Sequence, residues 1–274
     1  MVQRQLGAEL RRLREQTHKT SKEIAHELGW SDSKLSRIET ARIGVSSADL
    51  DRLCKRYQVD AATRERLREL ARQSRQRAWW EAYGNVLLDQ YEAYIGYESE
   101  ASSICGYYPL IVPGLLQTDE YARAVTAADG ASDEPDVEKL VQVKMARQAI
   151  LSRQPPPRFQ VILDEAVVRR MIGGPNVMRR QLDRLLAQGE RDNISVQVLP
   201  LAAGAHAGLT SGMFVLMELP EGLGGPLVYC EGMTGGVIRQ DPDEYRKYER
   251  SFRAMEDVTL SPEESRKFLK TVLG

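Results

Sequence analysis

Cysteine and histidine are scarce in this chain of 274 residues, with three of each. Cys54, Cys105 and Cys230 lie far apart, and His18, His26 and His206 stand at no zinc-ligand spacing with them. A closed metal site needs about four converging ligands, so free thiols, no metal and no cofactor are expected. Also missing is any run of the roughly 18 to 20 apolar residues that a membrane helix requires. The opening MVQRQLGAELRRLRE lacks the apolar centre of a secretory signal. These absences predict a cytoplasmic chain with no membrane partner. Long low-complexity runs are absent too, and a 42% apolar share is enough for globular cores. The length favours two domains.

What is present is unevenly distributed. The net charge is −1, yet residues 1–77 hold 18 Lys and Arg against 11 Asp and Glu, while the remainder holds 20 against 28. A basic first part and an acidic second part suggest different partners for each.

In the first part Leu6, Leu10 and Leu13 recur at helical spacing, which places one apolar stripe inward. Thr20 or Ser21 can cap a second helix whose buried face is Ile24, Ala25 and Leu28. Gly29 then stops that helix, because glycine accepts left-handed backbone at little steric cost. Only Trp30 and Ser31 separate it from a third helical pattern, in which Ser31 caps, Asp32 favours the helix dipole and Leu35 and Ile38 point inward. Two helices joined so tightly cross steeply and leave the outer face of the second exposed, as in a helix-turn-helix. Further helices are expected over 47–57 and from about 61 to 75.

The run KTSKEIAHELGWSDSKLSRIETARIGVSSADLDRLCKRYQV resembles the XRE, or lambda-repressor-like, family of helix-turn-helix DNA-binding domains. The resemblance implies a five-helix domain whose third helix enters the major groove. It carries recognition positions onto Ser31, Asp32, Ser33, Lys34 and Arg37, and an ion pair between the first and third helices onto Arg14 and Glu39. Ser21, Lys22, Ser36 and Arg42 complete the expected DNA-contacting set. His18 replaces a usual glycine, and Ser21 replaces a usual glutamine. The chemistry suits DNA: arginine offers a bidentate fork to guanine, lysine a charge to phosphate or guanine, and serine a donor or acceptor. Asp32 would serve the helix terminus or accept from a cytosine amino group.

After Arg77 the composition shifts to AWWEAY, so the domains are placed at 1–77 and 78–274. The second is expected to begin with a helix over 87–103. Pro109 and Pro113 then forbid a continuous helix, Thr118 caps a helix to about 128, and another runs from 135 to about 153. Strands are expected at 159–163, 194–199, 213–219 and 227–230, with helices at 164–170, 175–188, 242–255 and 262–273. Gly222 to Gly225 reads as a hairpin loop. This predicts an α+β domain with a small, mainly antiparallel sheet. The ordered motifs RAWWEAY, YYPLIVPGLLQTDEYARA, VILDEAVVRRMIGGPNVMRRQLDRLL and SPEES resemble the C-terminal domain of actinobacterial XRE regulators related to WhiJ, described as antitoxin-like. That resemblance implies a regulatory or interaction module, with a small partner protein.

Three function classes remain open. Glu98, Glu100, Asp164, Glu165, Glu231, His206 and Ser211 could serve catalysis, but no Gly-x-Ser-x-Gly, His-Glu-x-x-His or Walker loop positions them, and no enzyme is expected. A small-molecule receptor would require Tyr97, Glu98, Arg147, Glu165, His206 and Glu231 to converge on a pocket. The favoured reading is a DNA-binding transcriptional regulator. It would bind a double-stranded operator as a homodimer, near the nucleoid, under the control of a small protein or ligand. The alternative is an interaction module with an incidental helix-turn-helix.

Overall fold

Apolar spacing in the first 75 residues folds into short helices around one core. The computed structural model describes residues 2–31, 33–40, 45–75, 87, 89–128, 134–220, 225–232 and 235–273. Two compact units emerge, 1–81 and 82–274. Asp32, Arg42, the proposed boundary at 77 and 78, and Gly222 to Gly224 of the glycine loop lie outside the described residues.

The first unit holds α1 (Val2–Gln16), α2 (Ser21–Glu27), α3 (Lys34–Glu39), α4 (Ser47–Arg56) and α5 (Ala61–Arg75). Leu6, Leu10, Leu13, Ile24, Leu35, Ile38, Leu50, Leu53 and Leu67 bury together, each such side chain contributing about 1.5 to 3 kcal/mol. Thr20, not Ser21, caps α2: its hydroxyl accepts from the Glu23 amide while the Glu23 carboxylate accepts from the Thr20 amide. Gly29 has φ +67°, and a Cβ there would meet nothing within 4 Å, so the requirement for glycine is conformational. His18, at the turn after α1, adopts the left-handed φ of 56°.

The second unit is built on a six-stranded sheet. Its strands are β1 (Ser103–Tyr108), β2 (Arg158–Asp164), β3 (Ile194–Leu199), β4 (Phe214–Glu218), β5 (Leu227–Cys230) and β6 (Val237–Arg239), in the order β3-β2-β1-β4-β5-β6. The expected small antiparallel sheet is corrected: β1-β2 and β2-β3 are parallel, while β1-β4, β4-β5 and β5-β6 are antiparallel. The reason lies in the connections. Parallel neighbours need crossovers of a dozen or more residues. Here α7 (Asp119–Ala128) and α8 (Glu134–Arg147) join β1 to β2, while α9 (Glu165–Arg169) and α10 (Pro175–Gln188) join β2 to β3.

The expected helix over 87–103 is shorter, α6 (Asp89–Glu100), and β1 follows it as a central strand. The helix expected to reach 153 ends at Arg147 and tightens into a 3₁₀ turn over Gln148–Ser152. After α11 (Gly208–Ser211), α12 (Pro242–Glu256) covers one sheet face, where Tyr107, Ile162, Phe214, Leu216 and Val228 pack with Phe252 and Met255. α13 (Pro262–Leu273) completes the unit, and its Ser265 hydroxyl accepts from the Val198 amide. Strand alternation sends Tyr108 and Tyr229 to the opposite face.

Candidate functional site

In the first unit the outward side of α3 is the candidate nucleic-acid interface. Leu35 and Ile38 are buried, so helical geometry leaves Ser33, Ser36 and Arg37 exposed. Glu39 accepts from Arg14 Nε at 2.7 Å and from Nη2 at 3.1 Å, the two-pronged pair expected between α1 and α3. Arg14 Nη1 also donates to the Lys19 carbonyl at 2.8 Å, tying the turn before α2 to the same point. Arg37 is exposed and has no carboxylate partner among the described residues.

Other expected contacts are placed differently. Ser31 is not the cap: the described helix begins at Lys34 with Ser33 at the capping position, and the Ser31 carbonyl accepts from the Lys34 amide at 2.9 Å. Lys34 is engaged within its own unit. Its Nζ lies 2.9 Å from Asp49 Oδ2 and 4.4 Å above the Trp30 ring, so ion pairing and cation-π attraction hold it against α4. Spacing along the chain gave no sign of this contact, because Asp49 belongs to a different helix. Lys22 is exposed and Ser21 half-buried at the start of α2.

In the second unit a cavity of about 460 Å³ opens beside β1, β5, α6 and α8. Of the six residues expected to converge, Glu98, Arg147 and Glu231 do line it. Tyr97, Glu165 and His206 do not. The Tyr97 hydroxyl accepts from Gln240 Nε2 at 3.4 Å. Glu165 accepts from the Leu201 amide at 2.8 Å and from Arg169 at 2.6 Å; burial raises its pKa, but these bonds outweigh it and lower the net value. His206 accepts from the Gly208 amide at 3.2 Å and meets the Tyr107 ring edge-on, on the α12 face. Asp164 caps α9 by accepting from the Ala166 amide at 2.9 Å.

The cavity's polar centre is a buried ion pair. Arg147 donates from Nε to Glu98 Oε2 at 2.7 Å and from Nη2 to Oε1 at 2.6 Å, with the two side chains 6% and 1% exposed. Tyr94 donates to Glu98 Oε1 at 2.7 Å, and the guanidinium lies 5.2 Å from the Tyr91 ring centre and 5.1 Å from that of Tyr94. Burial works against the Arg147 charge, yet Glu98 beside it more than compensates and holds its pKa well above the ordinary arginine value. Burial pushes the Tyr94, Tyr108 and Tyr229 phenols up, keeping them neutral.

One wall is the segment 109–117, whose backbone is pinned by side chains. Gln148 donates to the Gly114 and Gln117 carbonyls, Gln181 donates to the Leu116 carbonyl and accepts from the Thr118 amide, and Tyr121 accepts from the Val112 amide. Gly106 makes room for another wall, since a Cβ there would lie 2.5 Å from the Tyr108 ring. The i, i+3 spacing of Tyr91 and Tyr94 is a legible sign of one tyrosine face, and the structure stacks those rings at 6.0 Å. Gln117 carried no such sign.

Residues 5–67 match a helix-turn-helix domain, which supports a DNA-binding role for the first unit. Residues 91–271 match the family described as domain of unknown function DUF5753. The chain belongs to that family. The DUF5753 match runs from α6 into α13 and takes in every strand of the sheet and the whole cavity. No curated protein and no solved structure matches the chain. Among the described residues, no helix is long and apolar enough to cross a membrane.

Proposed function

We propose that this protein is a sequence-specific transcriptional regulator that binds operator DNA as a homodimer and is controlled through its second unit. The observation that carries the reading is the face of α3: Arg37, Ser33 and Ser36 are exposed, while Leu35, Ile38 and the Arg14–Glu39 pair anchor the helix from behind. Arginine reads guanine through two parallel hydrogen bonds, and one such contact is worth about 1 to 3 kcal/mol of discrimination. The basic excess of residues 1–77 supplies the salt-dependent attraction to phosphate. Dimerisation follows from the small number of base pairs one such domain reads, because two half-sites one helical turn apart combine affinity with specificity. The motif likeness to XRE regulators related to WhiJ supports a non-catalytic, cytoplasmic, nucleoid-associated role with a small protein or ligand as effector.

The test is operator selection by the full chain followed by competition with unrelated duplex at fixed salt. Arg37→Ala is expected to lose operator preference by about ten-fold or more without loss of fold. Unchanged selectivity would remove Arg37 as a reader. Duplex binding that is absent, or flat with added salt, would favour the interaction-module alternative.

A further inference from the structure

Among the described residues four charged side chains line the cavity of the second unit, and three of them are already engaged. Arg147 spends Nε and Nη2 on Glu98 and donates from Nη1 to the Tyr91 hydroxyl. Lys144 donates to Thr126 Oγ1 at 2.8 Å, and Thr126, on α7, is not part of the lining. Glu231 is the exception. It lines the cavity, is exposed, and has no hydrogen-bond or ion-pair partner among the described residues.

Strand register places that carboxylate. Tyr107 of β1 lies opposite Phe214 of β4, and Phe214 lies opposite Cys230 of β5. The residues that follow, Tyr108 and Glu231, therefore stand at the same edge of the sheet, and both line the cavity. The electrostatics agree. Burial is the main cause that raises the Tyr91, Tyr108 and Tyr229 phenols; Glu98 and Arg147 act on all three in opposite senses, and Glu231 adds to the upward push on each. The buried pair offsets itself, so the charge left at the tyrosine wall is that of Glu231. The accessible lining beside it is mostly apolar: Leu110 is 66% exposed, and Tyr91, Ile111 and Met213 are half-buried.

We propose that this cavity binds a small organic cation, an ammonium group on an apolar body, with the cation at Glu231 and the body against Tyr91, Leu110, Ile111 and Met213. The volume, about 460 Å³, falls in the range of small-molecule sites. A neutral molecule would leave Glu231 unused and a carboxylate would be repelled by it, whereas a cation gains from it. The wall over 109–117 is already pinned by Gln148, Gln181 and Tyr121, so the site is formed before the ligand arrives. The inference rests on the regulatory reading only for what occupancy accomplishes, since binding itself requires no DNA.

The test uses the full chain and three probes with one phenethyl body: phenethylamine, phenethyl alcohol and hydrocinnamate, which at neutral pH carry a positive, no and a negative charge. Ligand-detected NMR titration at low salt should show saturable binding of the amine, at least about three-fold tighter than the alcohol, with hydrocinnamate weakest. The advantage should shrink as salt is added. Glu231→Gln should bring amine and alcohol together, and Glu231→Lys should make hydrocinnamate the tightest of the three. Both variants should keep the melting temperature, because the side chain is exposed and without a partner among the described residues. Gly114→Leu should abolish binding: a Cβ at 114 would meet only Arg147 Nη1 and Cζ, at 3.5 and 4.0 Å, and the atoms beyond it enter the cavity that Gly114 lines. A smaller amine advantage in the native chain would overturn the proposal, as would no saturation by the amine up to its solubility, an advantage that survives Glu231→Gln, or binding that survives Gly114→Leu. The native order and the Glu231 variants decide the matter even if Gly114→Leu does not fold. Duplex binding measured on the same preparation separates the two readings: a chain that binds the amine as described but no DNA refutes the regulator and leaves the ligand site standing.

Discussion

Removing the Arg147 guanidinium tests how the second unit is held together around its cavity. Arg147→Met keeps most of the side-chain volume but strips Glu98 of both arginine hydrogen bonds, at 2.7 and 2.6 Å, and leaves its carboxylate with the Tyr94 hydroxyl as its donor among the described residues. Both side chains of the pair are buried. Breaking a buried pair from one side typically costs about 3 to 5 kcal/mol, because an uncompensated charge stays in a medium of low polarisability. For a unit the size of residues 82–274, each kcal/mol moves the melting temperature by roughly 2 to 4 °C, so the transition should fall by about 6 to 20 °C. Glu98→Gln should also be costly, while adding it to Arg147→Met should cost far less than the sum, since the second change removes the stranded charge. The assay is thermal and urea unfolding of the four proteins by circular dichroism, at low and high salt. The loss should change little with salt, because burial shields the pair from counterions. A loss under about 1 kcal/mol, or single effects that add within about 0.5 kcal/mol, would refute the reasoning.

Other consequences concern both units. Lys34→Met should lower the stability of the first unit by about 1 kcal/mol in urea unfolding, by removing a half-exposed ion pair and a cation-π contact, and change operator selectivity far less than Arg37→Ala. A selectivity loss matching that of Arg37→Ala would show that Lys34 leaves Asp49 to read DNA. Glu9 is held at about 2, below the ordinary 4.5, first by its hydrogen bond from Arg12 and also by Arg66, against the opposing effect of burial. Its stabilisation is therefore complete above about pH 4.5 and lost as the pH falls toward 2, so Glu9→Gln should flatten the melting-temperature profile in that window and an unchanged profile would count against it. Gly106→Ala should force the Tyr108 ring from its place, costing about 1 to 3 kcal/mol in urea unfolding of the second unit, and unchanged stability would count against the clash.

The alternation of apolar and turn-forming residues was sufficient for most elements. Leu6, Leu10 and Leu13 predicted the inward face of α1, Gly29 the stop after α2, and 175–188 matches the bounds of α10. These are local properties, set by side-chain period and backbone stereochemistry. β1 escaped because SICGYY follows a tyrosine-rich helix after only two residues and carries a glycine in its middle, and with it went the central strand and the parallel half of the sheet. The candidate sites divide in the same way. Arg37 was legible because a short helix with two buried positions leaves its opposite face exposed whatever else the chain does. The Lys34 ion pair was not legible, because Asp49 lies 15 positions along the chain on another helix. Nothing in the spacing of Glu98 and Arg147 shows that they pair, and no local pattern marks Gln117. Whether a polar atom is answered depends on which distant groups the fold brings within about 3 Å. Sequence period determined the helices and the exposed face of α3; only tertiary packing decided which charges cancel and which polar atoms find partners.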